Sequence, residues 1–298
     1  MALVTEVSDS VYQIDVKFNF MYCLSYLVVG EGSVLIDPGS TTQSEIVLKA
    51  IEEELKFDLA RISHIIPTHL HLDHSGGAGY MAERLPQAQV LVYERYSSFM
   101  VDPTELVEAN KLSFGTKYVE PFGPTLPVPE GQILKMAGGE KIDLDDRTLE
   151  IIYSRGHANH HLSLYDSKSK GLFCGDALGM YFPEVDGVVI VCPNGFNLDL
   201  ALEGIEQLRK TEPQLLFYAH EGVGRNPDRL MDIATKQLKD CMQIVSDATR
   251  EGATPKQIEK RLQSYFSASV SPDLDFNRML IGMTVGGYQS YLNKNGLI

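Results

Sequence analysis

The sequence contains no tryptophan, and only four of its 298 residues are cysteine. Cys23, Cys174, Cys192 and Cys241 lie far apart, with no Cys-x-x-Cys pair and no dense framework, so they read as buried small hydrophobes in a reducing compartment. Positive charge is scarce as well: 26 Lys and Arg stand against 40 Asp and Glu, a net charge of −14. Phosphate contacts need clustered positive charge, so this balance argues against nucleic acid as a partner, a local basic groove being the one exception left open. No apolar stretch approaches the length of a membrane span, and the N-terminus lacks a basic region followed by an apolar one. A cytoplasmic, soluble protein that avoids membranes is expected. There is no internal repeat and no low-complexity segment. With 44% apolar residues the chain can bury a sizeable core, and its length suits one large domain or two small ones.

Histidine is also sparse, at eight residues, yet three of the eight fall within six positions. The stretch Thr68-His-Leu-His-Leu-Asp-His-Ser-Gly-Gly77 brings together His69, His71, Asp73 and His74, directly after the apolar run Ile62-Ser-His-Ile-Ile-Pro67. A short β-branched run closed by proline reads as a buried strand, which puts the four polar side chains on a loop at its end. Imidazole nitrogen and carboxylate oxygen suit a borderline divalent cation such as zinc. A loop can aim such side chains at one centre where no regular helix or strand could. Gly76 and Gly77 then turn the backbone into a helical pattern carrying Tyr80, Met81 and Leu85.

This cluster resembles the His-x-His-x-Asp-His signature of the metallo-β-lactamase superfamily, matching it at every required position. The resemblance implies an α/β fold, the αββα sandwich, and demands further ligands at later strand ends. His157 after Thr148-Leu-Glu-Ile-Ile-Tyr-Ser154, Asp176 after Gly171-Leu-Phe-Cys174 and His220 after Gln214-Leu-Leu-Phe-Tyr218 meet that demand. By the same resemblance His69, His71 and His157 hold one metal, Asp73, His74 and His220 hold a second, and Asp176 bridges them. The cofactors implied are two divalent ions, zinc first, with iron or manganese as alternatives. They would activate a water for attack on an electrophile, with Asp73 orienting it or moving its proton. His161, in the place of the second histidine of the family's Gly-His-x-x-x-His loop, is expected to support ligands rather than to be a seventh one. Asp37 either caps the turn at Pro38-Gly39 or supports the metal loop, and Tyr181 either reaches a substrate oxygen or packs in the core. His160 is read as exposed, and His64 as a core histidine with a satisfied hydrogen bond.

Elsewhere, Val11–Val16 and Tyr22–Val29 read as strands joined by a bend at Asn19, with a third strand over Ser33–Asp37. Thr41 or Thr42 is expected to cap a helix over Ser44–Leu55. Gln89–Tyr93 is a strand. Ser97–Gly131, with Pro103, Pro121, Pro124, Pro127 and Pro129, reads as a long irregular segment and a candidate pocket wall. Gln132–Leu134, Glu140–Leu144 and Thr148–Ser154 are assigned to a second sheet. A helix is expected over Leu198–Lys210, and Asn226-Pro227 and Thr254-Pro255 each place a proline at a helix start. A last helix covers about Asp275–Asn293. The division expected is a catalytic core over 1–225 and a helical extension over 226–298 lying as a lid on the site.

The segment Gly156–Gly179 and the helical extension look like a branch of the superfamily that includes the quinolone-signal response thioesterase and lactonases. A lid rich in Met and aromatics suits a small acyl or aryl carbonyl substrate, although ordinary helix packing is the better account of any one such residue. Hydrolysis of a carboxylic thioester, ester or lactone is therefore expected. The alternatives are a phosphodiesterase, a glutathione-thioester hydrolase, and a regulatory or binding protein with incidental activity. The oligomeric state is open, a homodimer included. At position 71 the flavodiiron branch generally carries Glu, so His71 disfavours di-iron redox chemistry.

Overall fold

Short β-branched runs separated by turns open the chain, and they pair as neighbours. The structure is a computed structural model describing residues 3–16, 23–267 and 274–298, with the side chains of 274–277 outside the description. The expected bend at Asn19 lies outside the described residues. β1 (Leu3–Ser8), β2 (Val11–Asp15), β3 (Ser25–Val29) and β4 (Ser33–Ile36) form an antiparallel meander. Helix α1 (Thr41–Glu53) then crosses to β5 (Ile62–Ile66), which lies parallel to β4. Ser40 caps α1 with its hydroxyl on the Gln43 amide at 3.4 Å, one residue before the threonines expected from sequence.

After β5 come one turn of helix, α2 (Leu72–Ser75), and α3 (Ala78–Arg84), leading to β6 (Gln89–Tyr93). Ser97–Gly131 is largely helical, and its irregular part is confined mainly to 123–129, with Pro124, Pro127 and Pro129. It holds α4 (Ser98–Val101), α5 (Thr104–Phe114) and α6 (Thr116–Val119), and Pro103 sits at the N-cap of α5 instead of interrupting it. β7 (Ile133–Met136) then pairs parallel with β6, so this strand belongs to the first sheet and not to the second as expected. The first sheet has seven strands in sequence order.

The second sheet has six strands: β8 (Lys141–Asp143), β9 (Thr148–Tyr153), β10 (Leu162–Asp166), β11 (Gly171–Gly175), β14 and β15. Between β11 and β14 (Leu215–Tyr218) the chain makes a small separate ribbon, β12 (Met180–Phe182) and β13 (Gly187–Val189), and then α7 (Leu198–Arg209). β14 lies parallel to β11, and β15 (Val223–Gly224) closes that edge. Three helices follow: α8 (Pro227–Arg250), α9 (Pro255–Phe266) and α10 (Leu274–Lys294).

Alternation along the central strands builds the layers. Tyr26, Val28, Val34, Ile36, Leu91, Phe173 and Phe217 point between the sheets. Leu27, Leu35, Val90 and Val92 point outward onto α1, α3 and α5. Leu172, Cys174, Leu216 and Tyr218 point outward the other way, onto α7 to α10. The result is the expected αββα sandwich, with the central strands of both sheets buried on both faces and the edge strands β1 and β8 partly exposed. All four cysteines are free and buried. Among the described residues no helix is long and apolar enough to cross a membrane.

Candidate metal centre

Five strands end at one edge of the sandwich, and each is followed by a site residue: Asp37 after β4, the 68–77 loop after β5, His157 after β9, Asp176 after β11 and His220 after β14. Two backbone bonds tie these ends together. Asp37 N–H donates to Ile66 at 2.9 Å within the first sheet, and Leu162 N–H donates across the sandwich to the Thr68 carbonyl at 2.7 Å. Asp73 and His74 lie on the single turn α2, so part of the expected loop is helical. The buried Asn110 of α5 accepts the Leu72 amide at 3.2 Å and holds the start of that turn.

The side chains fall into two adjoining groups, His69 with His71, His157 and Asp176, and Asp73 with His74 and His220; within each, the ligand atoms lie within 4.8 Å of one another. Asp176 stands between them. Its Oδ2 is 4.0 Å from Nε2 of His69 and 3.5 Å from Nε2 of His157. Its Oδ1 is 3.6 Å from Nε2 of His74 and 3.4 Å from Nε2 of His220. Asp73 Oδ2 completes the second group at 3.6 Å from His74 and 3.9 Å from His220.

Surrounding partners decide which nitrogens face inward. The Val191 carbonyl can only accept, so His157 Nδ1, 3.1 Å away, carries the proton and Nε2 presents a bare lone pair to the cluster. Thr68 donates its hydroxyl to Asp37 Oδ2 at 3.2 Å, so it accepts from His69 Nδ1 at 3.1 Å and leaves Nε2 of His69 bare. That nitrogen lies 2.7 Å from Nδ1 of His71. Nε2 of His157 lies 3.2 Å from the same atom, so a single N–H of His71 can satisfy only one of the two bare nitrogens, whereas a cation among them could take both. In the second group Nε2 of His74, like Oδ1 of Asp176, is buried without a hydrogen-bond partner. Buried polar atoms left unpaired in this way fit divalent cations with nitrogen and oxygen ligands, His74 giving up its proton to the incoming ion.

Burial holds the imidazoles of His69, His71 and His161 well below their usual range, with neighbouring histidines adding to the effect. Burial also lowers His157. His74 differs: burial opposes its charge, but Asp73, Asp176 and Asp37 outweigh it and push it up to about 10. His220 is raised against burial, chiefly by Asp176. Burial favours the neutral acid of Asp176, yet His74 and His220 hold its carboxyl well below the usual range.

Of the two roles open to it in sequence, the Asp37 carboxylate takes the one toward the metal loop, with no bond to the Pro38-Gly39 turn shown among the described residues. Asp37 occupies a left-handed backbone position, φ 51°, at the turn, and its carboxylate accepts the Thr68 amide at 2.7 Å and lies 3.2 Å from Nδ1 of His74. His161 cannot act as a ligand through Nε2, which accepts the Asp176 amide at 3.1 Å while Nδ1 donates to Ser154. Gly175, between them, has φ 49°, and a Cβ there would meet His161 Nε2 at 2.6 Å. His160 is half-buried, contrary to the exposed position expected: its Nδ1 accepts the Leu70 amide at 3.1 Å, and burial lowers its pKa to about 3. Tyr181 does not reach the site. Its hydroxyl donates to Asp186 at 3.0 Å and its ring stacks on Tyr218, so packing wins over substrate contact. His64 bonds Ser63 at 2.9 Å within β5.

Above the ligands lies a cavity walled by Phe114, Met180, Val191, Leu280 and Met283, with about 30 Å³ of free space, room for roughly one water. Asn110, Thr68 and His160 are the supporting residues that sequence did not single out. Thr68 alone carried a local signal, its place beside His69. Asn110 reaches the loop from a helix 38 residues on.

A family model described as Metallo-beta-lactamase superfamily matches residues 19–220. A metallo-beta-lactamase fold-containing protein of Sulfurisphaera tokodaii is 26% identical over 245 residues, covering 80% of this chain and 87% of that one. A hydroxyacylglutathione hydrolase of Synechococcus is 28% identical over 148 residues, 48% of this chain and 47% of its own. Among solved structures, a metallo-beta-lactamase family protein from Thermus thermophilus aligns with a TM-score of 0.72 at 18% identity, covering 98% of this chain and 95% of that chain. An archaeal superfamily protein from Sulfolobus tokodaii aligns at 0.69 and 21%, covering 95% and 99%. Both likenesses are of fold and run through nearly the whole chain.

Proposed function

The chain belongs to the metallo-beta-lactamase superfamily of hydrolases, and from that premise we propose that it is a dinuclear metal-dependent hydrolase of a carboxylic thioester, ester or lactone. The observation that carries this reading is the Asp176 carboxylate, one oxygen toward each ligand group, beneath an apolar cavity. His69, His71 and His157 would hold one cation and Asp73, His74 and His220 the other, with Asp176 shared. Divalent ions there, zinc first and iron or manganese as alternatives, supply Lewis acidity and bring the pKa of a water toward neutrality.

The chain's own residues do the rest. Asp73, on the cavity wall, orients the attacking water and takes its proton. Phe114, Met180, Val191, Leu280 and Met283 exclude bulk water, and because the cavity holds roughly one water, these side chains must move apart to admit the apolar part of the substrate. No Lys or Arg is among the described residues lining the cavity, which favours an uncharged carbonyl compound over a phosphodiester. Leu280 and Met283 belong to α10, consistent with residues 226–298 acting as a lid on a core over 1–225. Likeness to a hydroxyacylglutathione hydrolase favours a glutathione thioester as the second reading. Glutathione's carboxylates would need cations that the lining lacks.

The test is metal content by elemental analysis, joined to turnover of a medium-chain thioester, a lactone, a hydroxyacyl-glutathione thioester and a phosphodiester. Near two ions per chain and carbonyl turnover reduced about 10²–10⁴-fold in Asp73→Asn are expected. Metal-free protein, or turnover indifferent to that change, would sink the reading.

A further inference from the structure

Among the described residues, the Val191 carbonyl is the partner shown for Nδ1 of His157, and Val191 lies on a segment that neither main sheet includes. β12 and β13 form a separate two-stranded sheet, and 190–192 continues from it toward α7. Two side chains from the C-terminal helices grip this segment on either side of Val191. Gln237 of α8, 7% exposed, accepts the Ile190 amide through Oε1 at 3.0 Å and donates through Nε2 to the Val188 carbonyl at 2.6 Å. Thr284 of α10, 1% exposed, accepts the Cys192 amide at 3.3 Å. The backbone of α10 itself presses on the same place, since a Cβ at Gly287 would stand 2.1 Å from the Cys192 carbonyl oxygen.

With the residues before and after it anchored, the peptide plane of Val191 has little freedom, and its carbonyl is aimed at His157. That carbonyl selects the tautomer in which Nε2 of His157 is bare, the form a metal needs. In the second group His74 is held instead by Asp37, on the first sheet.

We infer that Gln237 and Thr284 are positioning residues for the His69, His71 and His157 group, so that α8 and α10 help to build the first metal site as well as to cover it. This inference rests on the metal-centre reading above. It also makes the helices' seating and the affinity of one metal group thermodynamically linked, so whatever displaces α8 or α10 weakens that group first.

The experiment titrates the metal-free full chain with Co²⁺, following ligand-field absorption, with His157→Ala marking the spectrum of a chain that has lost the first group. Thr284→Val, nearly isosteric and lacking only the acceptor, and Gln237→Met should each weaken the first group about 10–100-fold while leaving the second unchanged, a typical effect of removing a ligand's outer partner. Thr284→Ser should restore it. Leu292→Ala, buried on α10 eight residues beyond Thr284, should lower melting temperature and leave both affinities alone. Equal losses in both groups, no loss, or the same loss in Leu292→Ala would overturn the inference. A wild-type chain that binds no Co²⁺ would remove the proposed function with it, a failure distinct from the others.

Discussion

Asp37 shows how much one side chain can determine. Its carbonyl accepts the Ser25 hydroxyl at 2.6 Å, and its carboxylate reaches the Thr68 amide, the Thr68 hydroxyl and the neighbourhood of His74 Nδ1. Through Thr68 it orients His69 in the first ligand group, and directly it faces His74 in the second. Asn tolerates the left-handed backbone well, so Asp37→Asn should leave the fold intact. It replaces one acceptor oxygen with a donor, so metal affinity should fall about 10–100-fold by titration, and the melting temperature of the metal-free chain should also fall because the charged imidazole of His74 loses one of its carboxylate partners. Gly175→Ala is the opposite case. Its φ of 49° and the 2.6 Å approach to His161 leave no room for a methyl group, so a loss of about 1–3 kcal/mol in denaturant unfolding is expected. Wild-type stability in that variant would show that the β11 end can relax.

At the scale of elements, α10 divides its length between two tasks. Leu280 and Met283 face the cavity, whereas Tyr288 and Leu292 are fully buried in the outer core, Tyr288 donating to the Leu238 carbonyl of α8 at 2.8 Å. Tyr288→Ala should therefore cost about 3–5 kcal/mol of stability. Met283→Ala should change KM for apolar acyl substrates with little effect on metal content. Identical behaviour of the two variants would refute the division. The same contrast explains what could be read without a structure. The strand ends bearing His69, His157, Asp176 and His220 were legible because each joins a short apolar run to a ligand residue, a purely local pattern. The α8 and α9 starts were legible because each carries a proline at its first position. Ser97–Gly131 was not, since its prolines suggested irregularity while Pro103 in fact precedes an uninterrupted helix. Nor was the sheet to which β7 belongs, because parallel pairing with β6 is a contact made across forty residues. His160 and Asn110 escaped for the same reason: their partners, the Leu70 and Leu72 amides, lie far away in sequence.

Over the whole molecule, a net charge of −14 draws cations toward the chain, and the titration of the buried cluster sets how stability responds to pH. In the metal-free protein His69, His71, His157, His160 and His161 all have lowered pKa values, mainly from burial. Below about pH 6.5 the unfolded chain takes up protons that these folded imidazoles refuse, so stability falls with pH, by up to about 1.4 kcal/mol per unit for each group within its window. For His160 that window reaches down to about 3. Asp176, held low, acts in the same sense at still lower pH: its contribution is present above the ordinary carboxylate range and is lost as pH drops through its folded value. His74 and His220 act oppositely. Raised by their carboxylates, they contribute fully below about pH 6.5 and lose that contribution as pH climbs, through about 10 for His74. The metal-free chain should thus be most stable near neutrality. Cations require bare nitrogens at His74 and His220, so loading should release protons, and affinity should rise with pH through the neutral range. Unfolding midpoints from pH 4.5 to 9 on metal-free protein would check this. His160→Gln keeps an acceptor for the Leu70 amide but cannot take a proton, so it should make the acid limb shallower. An acid limb unchanged in that variant would mean that His160 is already protonated in the folded chain, and its bond to Leu70 would have to be abandoned.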